Sequence, residues 1–376
     1  MPKKQVLIIA GEPSGDLHAS RVVNEIKKIS ADTGFYGLGG KLMSEAGVRI
    51  IHDISGLAFI GITEVLRNIL VIKGVYQKVL REIDAKRPDL AILVDYPGFN
   101  LRIAKELKKR NIPVAYYISP QLWAWGEDRI RIIKDTVAKM VVFFKFEEEF
   151  YRRRGVAVEF VGHPLLESVR PTLAKEEALK RYGLDPAGKT VALLPGSRKT
   201  EVENHLPCML EAAGRIARRV EGARFIVAKF PDLPAELYKR EIEKYPLDVK
   251  LIEGDTYNVL NAADLAIVAS GTATLETAII GTPMVIMYKT SLLTYIAFRL
   301  VAKIRNVGLV NVIAGEEVSP EFLQVAATVE NISEEAVKII SSPDRIRKMK
   351  EAFSRVRSSL GSPGSYSRAA SAILSC

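Results

Sequence analysis

The stretch VALLPGSRKTEVENHLP, residues 191–207, decides how this chain is read. Val191 to Leu194 form a continuous apolar run, the pattern of a strand covered on both faces of a parallel sheet. The run ends in Pro195-Gly196-Ser197-Arg198 and passes straight into an acidic, helix-forming segment. A strand that feeds a helix through a small-residue turn leaves the first helical N–H groups unpaired, and the helix dipole adds partial positive charge there. That predicts an anion site, with the guanidinium of Arg198 offering a bidentate fork to a phosphate. An ordinary strand–helix loop with a solvated Arg198 has the same sequence, so other segments must decide.

The pattern recurs. VLIIAGEPSGDLHAS (6–20) is again strand, small polar turn and helix. Further strand-like runs are Leu90–Val94, Val114–Ile118 and Met140–Phe144 in the first half, and Arg224–Ala228, Val249–Ile252, Leu265–Ala269 and Pro283–Met287 in the second. Helical stretches separate them: Ala19–Ile29, Leu101–Lys109, Glu203–Arg219 and Thr274–Ile280. Apolar strands alternating with helices predict an α/β fold of parallel sheets. The chain of 376 residues exceeds the roughly 250–300 residues at which a single core stops growing. We therefore expect two Rossmann-like, doubly wound domains facing across a cleft. Pro164 and Pro171 bracket the expected join, giving domains 1–170 and 171–345, with a helical segment 346–376 that either crosses back to the first domain or exchanges between subunits.

Composition narrows the function. Hydrophobic residues make up 48% and charged residues 26% of the chain, a globular balance. The apolar run Val6–Ala10 is too short for a signal peptide or membrane span. Cys208, Cys376 and four histidines show no metal-ligand or redox spacing, so neither metal nor cofactor is expected. The net charge of +10 is uneven: residues 1–170 hold 27 Lys and Arg against 20 Asp and Glu, leaving +3 for the rest. Such a bias suits an anionic lipid surface or a phosphorylated substrate. Nucleic acid is not expected, because no zinc spacing, RNA-binding signature or arginine-rich tail is present. Neither turn matches G-x-G-x-x-G, which argues against a dinucleotide.

Five segments carry candidate chemistry. In LAIVASGTATLETAIIGTPMV (265–285), Ser270, Gly271 and Thr272 can turn N–H groups toward an anion while Glu276, one turn inside the helix, meets sugar hydroxyls. Helix capping by Ser270 or Thr272 is the plain alternative. In LAILVDYPGFNLRIAK (90–105), Asp95 follows a strand directly, at the sheet edge where ligands bind. It acts either as general base toward a hydroxyl or as acceptor for its own turn. Ser14, Gly15 and Asp16 form a second polar turn, and Asn100, Trp123, Trp125 and Arg129 offer contacts to sugar or phosphate, although both tryptophans equally suit a core. In FIGITEVLRNILVIKGV (59–75), Val65, Leu66 and Ile69 lie on an apolar helical stripe that covers either a core or a membrane surface.

The segments GEPSGD, GITEVL, DYPGFNL, SPQLWAWGEDRI, FVGHP, LLPGSRKTEVE, ASGTATLETAIIGTPMV and NVIAG, in this order along nearly the whole chain, resemble the lipid-A-disaccharide synthases. These are two-domain glycosyltransferases of the GT-B type. The resemblance implies an inverting, metal-independent transfer between UDP-2,3-diacylglucosamine and 2,3-diacylglucosamine 1-phosphate, at the cytoplasmic side of the inner membrane. It implies Asp95 as the catalytic carboxylate, Arg198 and Glu276 in nucleotide binding, and Asn311 in the cleft. UDP would sit on Pro195–Arg198 and the 270–272 turn, opposite an acceptor site around Asp95. The chain departs from the family's pattern at Gly98, where Asp often stands, and at Lys145, where Pro often does. Rival readings are an enzyme like UDP-N-acetylglucosamine 2-epimerase and a non-catalytic lipid- or anion-binding protein. The oligomeric state stays open, a homodimer included.

Overall fold

The computed structural model describes residues 4–54, 69–124, 126–290 and 306–376. Two compact units emerge: residues 1–164 with 360–376, and residues 165–359. The break thus falls before Leu165 rather than after Arg170. The helix Pro343–Ser359 stays in the second unit, where Arg357 donates to the carbonyl of Ile279 at 3.4 Å and Met349 Sδ accepts the N–H of Met284 at 3.3 Å.

The first unit holds a seven-stranded sheet: β1 (Lys4–Ala10), β2 (Thr33–Gly39), β3 (Arg49–Asp53), β4 (Leu90–Val94), β5 (Val114–Tyr117), β6 (Lys139–Val142) and β7 (Val158–Phe160). All its pairings are parallel, in the order β3-β2-β1-β4-β5-β6-β7. Alternation along β1 sends Leu7 and Ile9 into one core and Val6, Ile8 and Ala10 into the other. Each of these side chains is fully buried. Ile8→Ala would cost about 2–5 kcal/mol through lost transfer energy and the cavity left behind. The C-terminal helix Ser365–Leu374 completes the second of these cores with Ala369, Ala370 and Ile373, and Tyr366 meets His18 Nδ1 at 3.0 Å.

The second unit repeats the plan with six parallel strands: β8 (Thr190–Leu194), β9 (Arg224–Lys229), β10 (Val249–Glu253), β11 (Leu265–Ala269), β12 (Met284–Tyr288) and β13 (Glu321–Leu323), ordered β10-β9-β8-β11-β12-β13. In both sheets the chain winds outward from a central strand, then jumps back and winds the other way. The reversal falls between β1 and β4 in one unit and between β8 and β11 in the other. Crevices at the carboxyl ends of strands flanking such a reversal are where open parallel sheets bind ligands.

Among the described residues, no helix is long and apolar enough to cross a membrane. The helix Ile69–Lys86 buries Val75, Val79 and Ile83 against the first core, while Leu70 and Val71 are exposed. Val65 and Leu66 lie outside the described residues, as do the side chain of Ile69 and all of Trp125.

Candidate active site

In the first unit, β1 and β4 run in register up to Ala10 opposite Val94. The two turns that follow are therefore neighbours at the sheet edge. Asp95 and Tyr96 both take left-handed backbone conformations, with φ of 44° and 48°. Two consecutive non-glycine residues there store about 1–3 kcal/mol each, so the surroundings must hold them. The Asp95 carbonyl accepts from Tyr116 Oη at 2.6 Å and Asn100 Nδ2 at 2.8 Å, and Asn100 Nδ2 also reaches the Val94 carbonyl at 3.1 Å. Gly11 is required beside this turn, because a Cβ there would run into the Tyr96 ring.

The pinned backbone presents the Asp95 carboxyl at the edge. Burial, then the nearby carboxylate of Glu12, push it up to about 6, against the hydrogen bond from the Tyr96 N–H. A carboxylate poised there is charged at neutral pH and basic enough to take a proton from an alcohol in a transition state. Asn100 is fully buried and serves as the brace of this turn rather than as a surface contact.

Other first-unit candidates divide. Ser14 is exposed in the first turn of the helix Pro13–Ile29, and Gly15 lies buried against Ala10 and Val94. Asp16 is not available for chemistry: its carboxylate accepts the N–H groups of Gly40 at 2.7 Å, Leu42 at 3.0 Å and Met43 at 3.2 Å, capping the helix Lys41–Glu45. Arg129 is half-buried and influences the phenol of Tyr116. Trp123 is half-buried, edge-to-face on Phe146, with its indole N–H on Glu147. Sequence reasoning missed Glu12, Tyr96 and Tyr116, although each lies inside or next to a quoted motif.

In the second unit, the turns after β8 and β11 border one cavity of about 700 Å³, lined by Gly196, Ser197, Arg198, Ser270, Gly271, Thr272 and Glu276. Phe230, Asp255, Tyr257 and Asn258 also line it, none of them anticipated from sequence. The N–H groups of Gly271, Thr272 and Ala273 open the helix Thr272–Ile280 toward this space and have no partner among the described residues. Glu276 accepts from Tyr257 Oη at 3.0 Å, and burial holds its carboxyl above the ordinary range.

The turn that opened this reading differs in one respect. Glu201 Oε2 accepts the N–H groups of Ser197 at 3.0 Å and Arg198 at 3.2 Å, and its Oε1 meets the Arg198 guanidinium at 3.2 Å. These N–H groups are thus already occupied by a carboxylate from the helix they introduce. Pro195 is buried, its carbonyl against His205 Nδ1 at 2.8 Å, and it does not line the cavity. Asn311 is fully buried and does not line this cavity either. Its amide donates to Ser319 O and Glu321 Oε1, both at 2.7 Å, and accepts from Val318 and Ser319 N–H, both at 2.9 Å, which fastens a loop in the interior.

Two doubly wound parallel sheets, each with a polar site at its reversal point, define a glycosyltransferase fold of the GT-B type. Solved structures of this kind match nearly the whole chain. Among them are the UDP-GlcNAc 2-epimerase of Neisseria meningitidis bound to UDP-GlcNAc (TM-score 0.61, 12% identity, 99% of this chain and 98% of that one) and MurG of Acinetobacter baumannii (TM-score 0.60, 13% identity, 99% and 100%). The family model described as lipid-A-disaccharide synthetase (LpxB) matches residues 6–375. The lipid-A-disaccharide synthase of Syntrophus aciditrophicus (strain SB) is 45% identical over 371 residues, covering 98% of this chain and 97% of that protein. The chain belongs to the lipid-A-disaccharide synthase family, and so is a hexosyltransferase of lipid A biosynthesis.

Proposed function

We propose that the donor is UDP-2,3-diacylglucosamine and the acceptor 2,3-diacylglucosamine 1-phosphate. The acceptor's 6-hydroxyl oxygen attacks the anomeric carbon and passes its proton to Asp95. The bond from that carbon to the β-phosphate oxygen breaks with inversion, releasing UDP and the β-1,6-linked disaccharide 1-phosphate.

The observation that carries this reading is the Asp95 carboxyl, strained into place at a sheet-reversal edge and pushed up to about 6. A primary alcohol is a weak nucleophile unless a base removes its proton in the transition state. In the second unit the helix start at Gly271–Ala273 suits the diphosphate, and Glu276 the ribose hydroxyls. Arg198 joins the diphosphate once it leaves Glu201.

Peripheral attachment to the cytoplasmic face of the inner membrane belongs to the same reading. The exposed Leu70 and Val71, with the neighbouring apolar Val65, Leu66 and Ile69 of the sequence, would enter the lipid. The positive balance of residues 1–170 would favour its anionic surface. Turnover of the two acylated sugars by wild type and Asp95→Asn tests the proposal: near-normal turnover in the variant removes Asp95 from the role of base.

A further inference from the structure

Glu147 is a buried acid that the mechanism above does not use. It stands in the first turn of the helix Lys145–Arg152 and is 4% exposed. Its surroundings exceed what helix capping needs. Its Oε1 accepts the indole N–H of Trp123 at 3.3 Å, and the Ser119 hydroxyl and the backbone of Phe143 and Phe144 lie close enough to favour its ionised form. Ser119 and Trp123 belong to the loop that leaves β5 at the carboxyl edge of the sheet. Ser119 Oγ also meets Tyr151 Oη at 2.9 Å, and the Tyr151 phenol lies near enough to Tyr116 to hold the latter's phenol further up. Tyr116, finally, donates to the Asp95 carbonyl. Tyr116 and Tyr151 are fully buried and Ser119 is 7% exposed, so Glu147 and this end of β5 share one interior.

We propose that Glu147 is a positioning residue for the transfer reaction, locking through Trp123 the Ser119–Ala124 loop that continues from Tyr116 of β5, and with it the strained turn of Asp95 that Tyr116 holds. The proposal rests on the reading that Asp95 is the base. A turn held in two left-handed residues needs neighbours that fix it, and small displacements of a reacting group are costly.

Burial overrides the donors around Glu147 and pushes its carboxyl up to about 8, so at neutral pH it keeps its proton. The titratable group facing it is the phenol of Tyr151, on its own helix, with Arg154 beside Tyr151. No Lys or Arg among the described residues forms an ion pair with it. Loss of the proton in alkali would place a buried charge inside the network and loosen the loop.

The chain has two tryptophans, so a Trp125→Phe background leaves Trp123 as the sole indole, excited apart from the tyrosines at the red edge of the absorption. Its fluorescence is expected to change in one step near pH 8 and to be flat after Glu147→Gln; emission flat with Glu147 intact overturns the proposal. In the otherwise native enzyme, Glu147→Ala should lower kcat about 10- to 100-fold with UDP affinity unchanged. Glu147→Gln should restore most of that loss and remove the alkaline fall in kcat. Should the Ala variant not fold, the Gln variant and the fluorescence step still decide. Normal kcat in Glu147→Ala beside a slow Asp95→Asn defeats this proposal alone, whereas normal turnover in Asp95→Asn defeats the reading beneath it.

Discussion

The phenol of Tyr257 donates to Glu276 Oε1 at 3.0 Å, and the two side chains share the wall of the second unit's cavity. The bond leaves Oε2 of Glu276 as the oxygen to meet a ligand hydroxyl. If that hydroxyl belongs to the ribose, Glu276→Ala weakens UDP binding by about 1.5–3 kcal/mol, the range for hydrogen bonds to charged groups. Tyr257→Phe, which only frees the carboxylate to wander, weakens it less. Calorimetric titration with UDP separates them, and equal affinities for wild type and Glu276→Ala would remove Glu276 from the site.

Glu201 and the Ser197–Arg198 turn make a second test. The carboxylate now occupying those N–H groups competes with any diphosphate that approaches them. Glu201→Gln should therefore bind UDP more tightly, and Arg198→Ala more weakly by about 1.5–3 kcal/mol. If Arg198→Ala leaves UDP affinity unchanged, the diphosphate rests on the Gly271–Ala273 helix start alone.

Asp95 couples activity to stability. Its carboxyl holds a proton more tightly in the folded chain, so stability declines as pH rises from the ordinary carboxylate range through about 6. Asn at this position never ionises and avoids that cost. Asp95→Asn should gain about 1–2 kcal/mol at neutral pH, after discounting for partial exposure, while turnover drops about 10²–10⁴-fold. In the wild type, kcat should fall as pH drops below about 6. Parallel thermal melts and initial rates check both; a variant that is slow but no more stable would contradict the burial argument.

Membrane contact is tested with Leu70 and Val71, exposed at the start of the helix Ile69–Lys86. Replacing both with Ser, together with Val65, Leu66 and Ile69, should release the protein from vesicles of anionic phospholipid and leave the melting temperature nearly unchanged. A collapsed melt would show these side chains to be core.

How far the sequence could be read depended on whether a residue's partners were near in the chain. Strands β4, β8 and β11 follow directly from their apolar runs, because each is buried on both faces. β2 contains three glycines and reads as loop. Gly37 has no side chain because one would strike the carbonyl of Ile8 in β1, a contact that local pattern cannot reveal. β7 and β13 are short and half-exposed, without a periodic signal.

The site divides in the same way. Asp95 is legible because it immediately follows a strand. Asp16 reads as a free polar group and Asn311, through the resemblance alone, as a cleft residue, since the residues that consume them, Gly40 to Met43 and Val318 to Glu321, are not implied by their own turns. Glu147 sits in an acidic run that looks like a solvated helix face, and only the fold brings the Trp123 indole onto it.

The most direct measurement is mass analysis of the products formed from UDP-2,3-diacylglucosamine and 2,3-diacylglucosamine 1-phosphate by wild type and Asp95→Asn. The account predicts equal amounts of UDP and the disaccharide 1-phosphate from the wild type, and product slowed about 10²–10⁴-fold in the variant. UDP release or epimerised sugar without any disaccharide would contradict it.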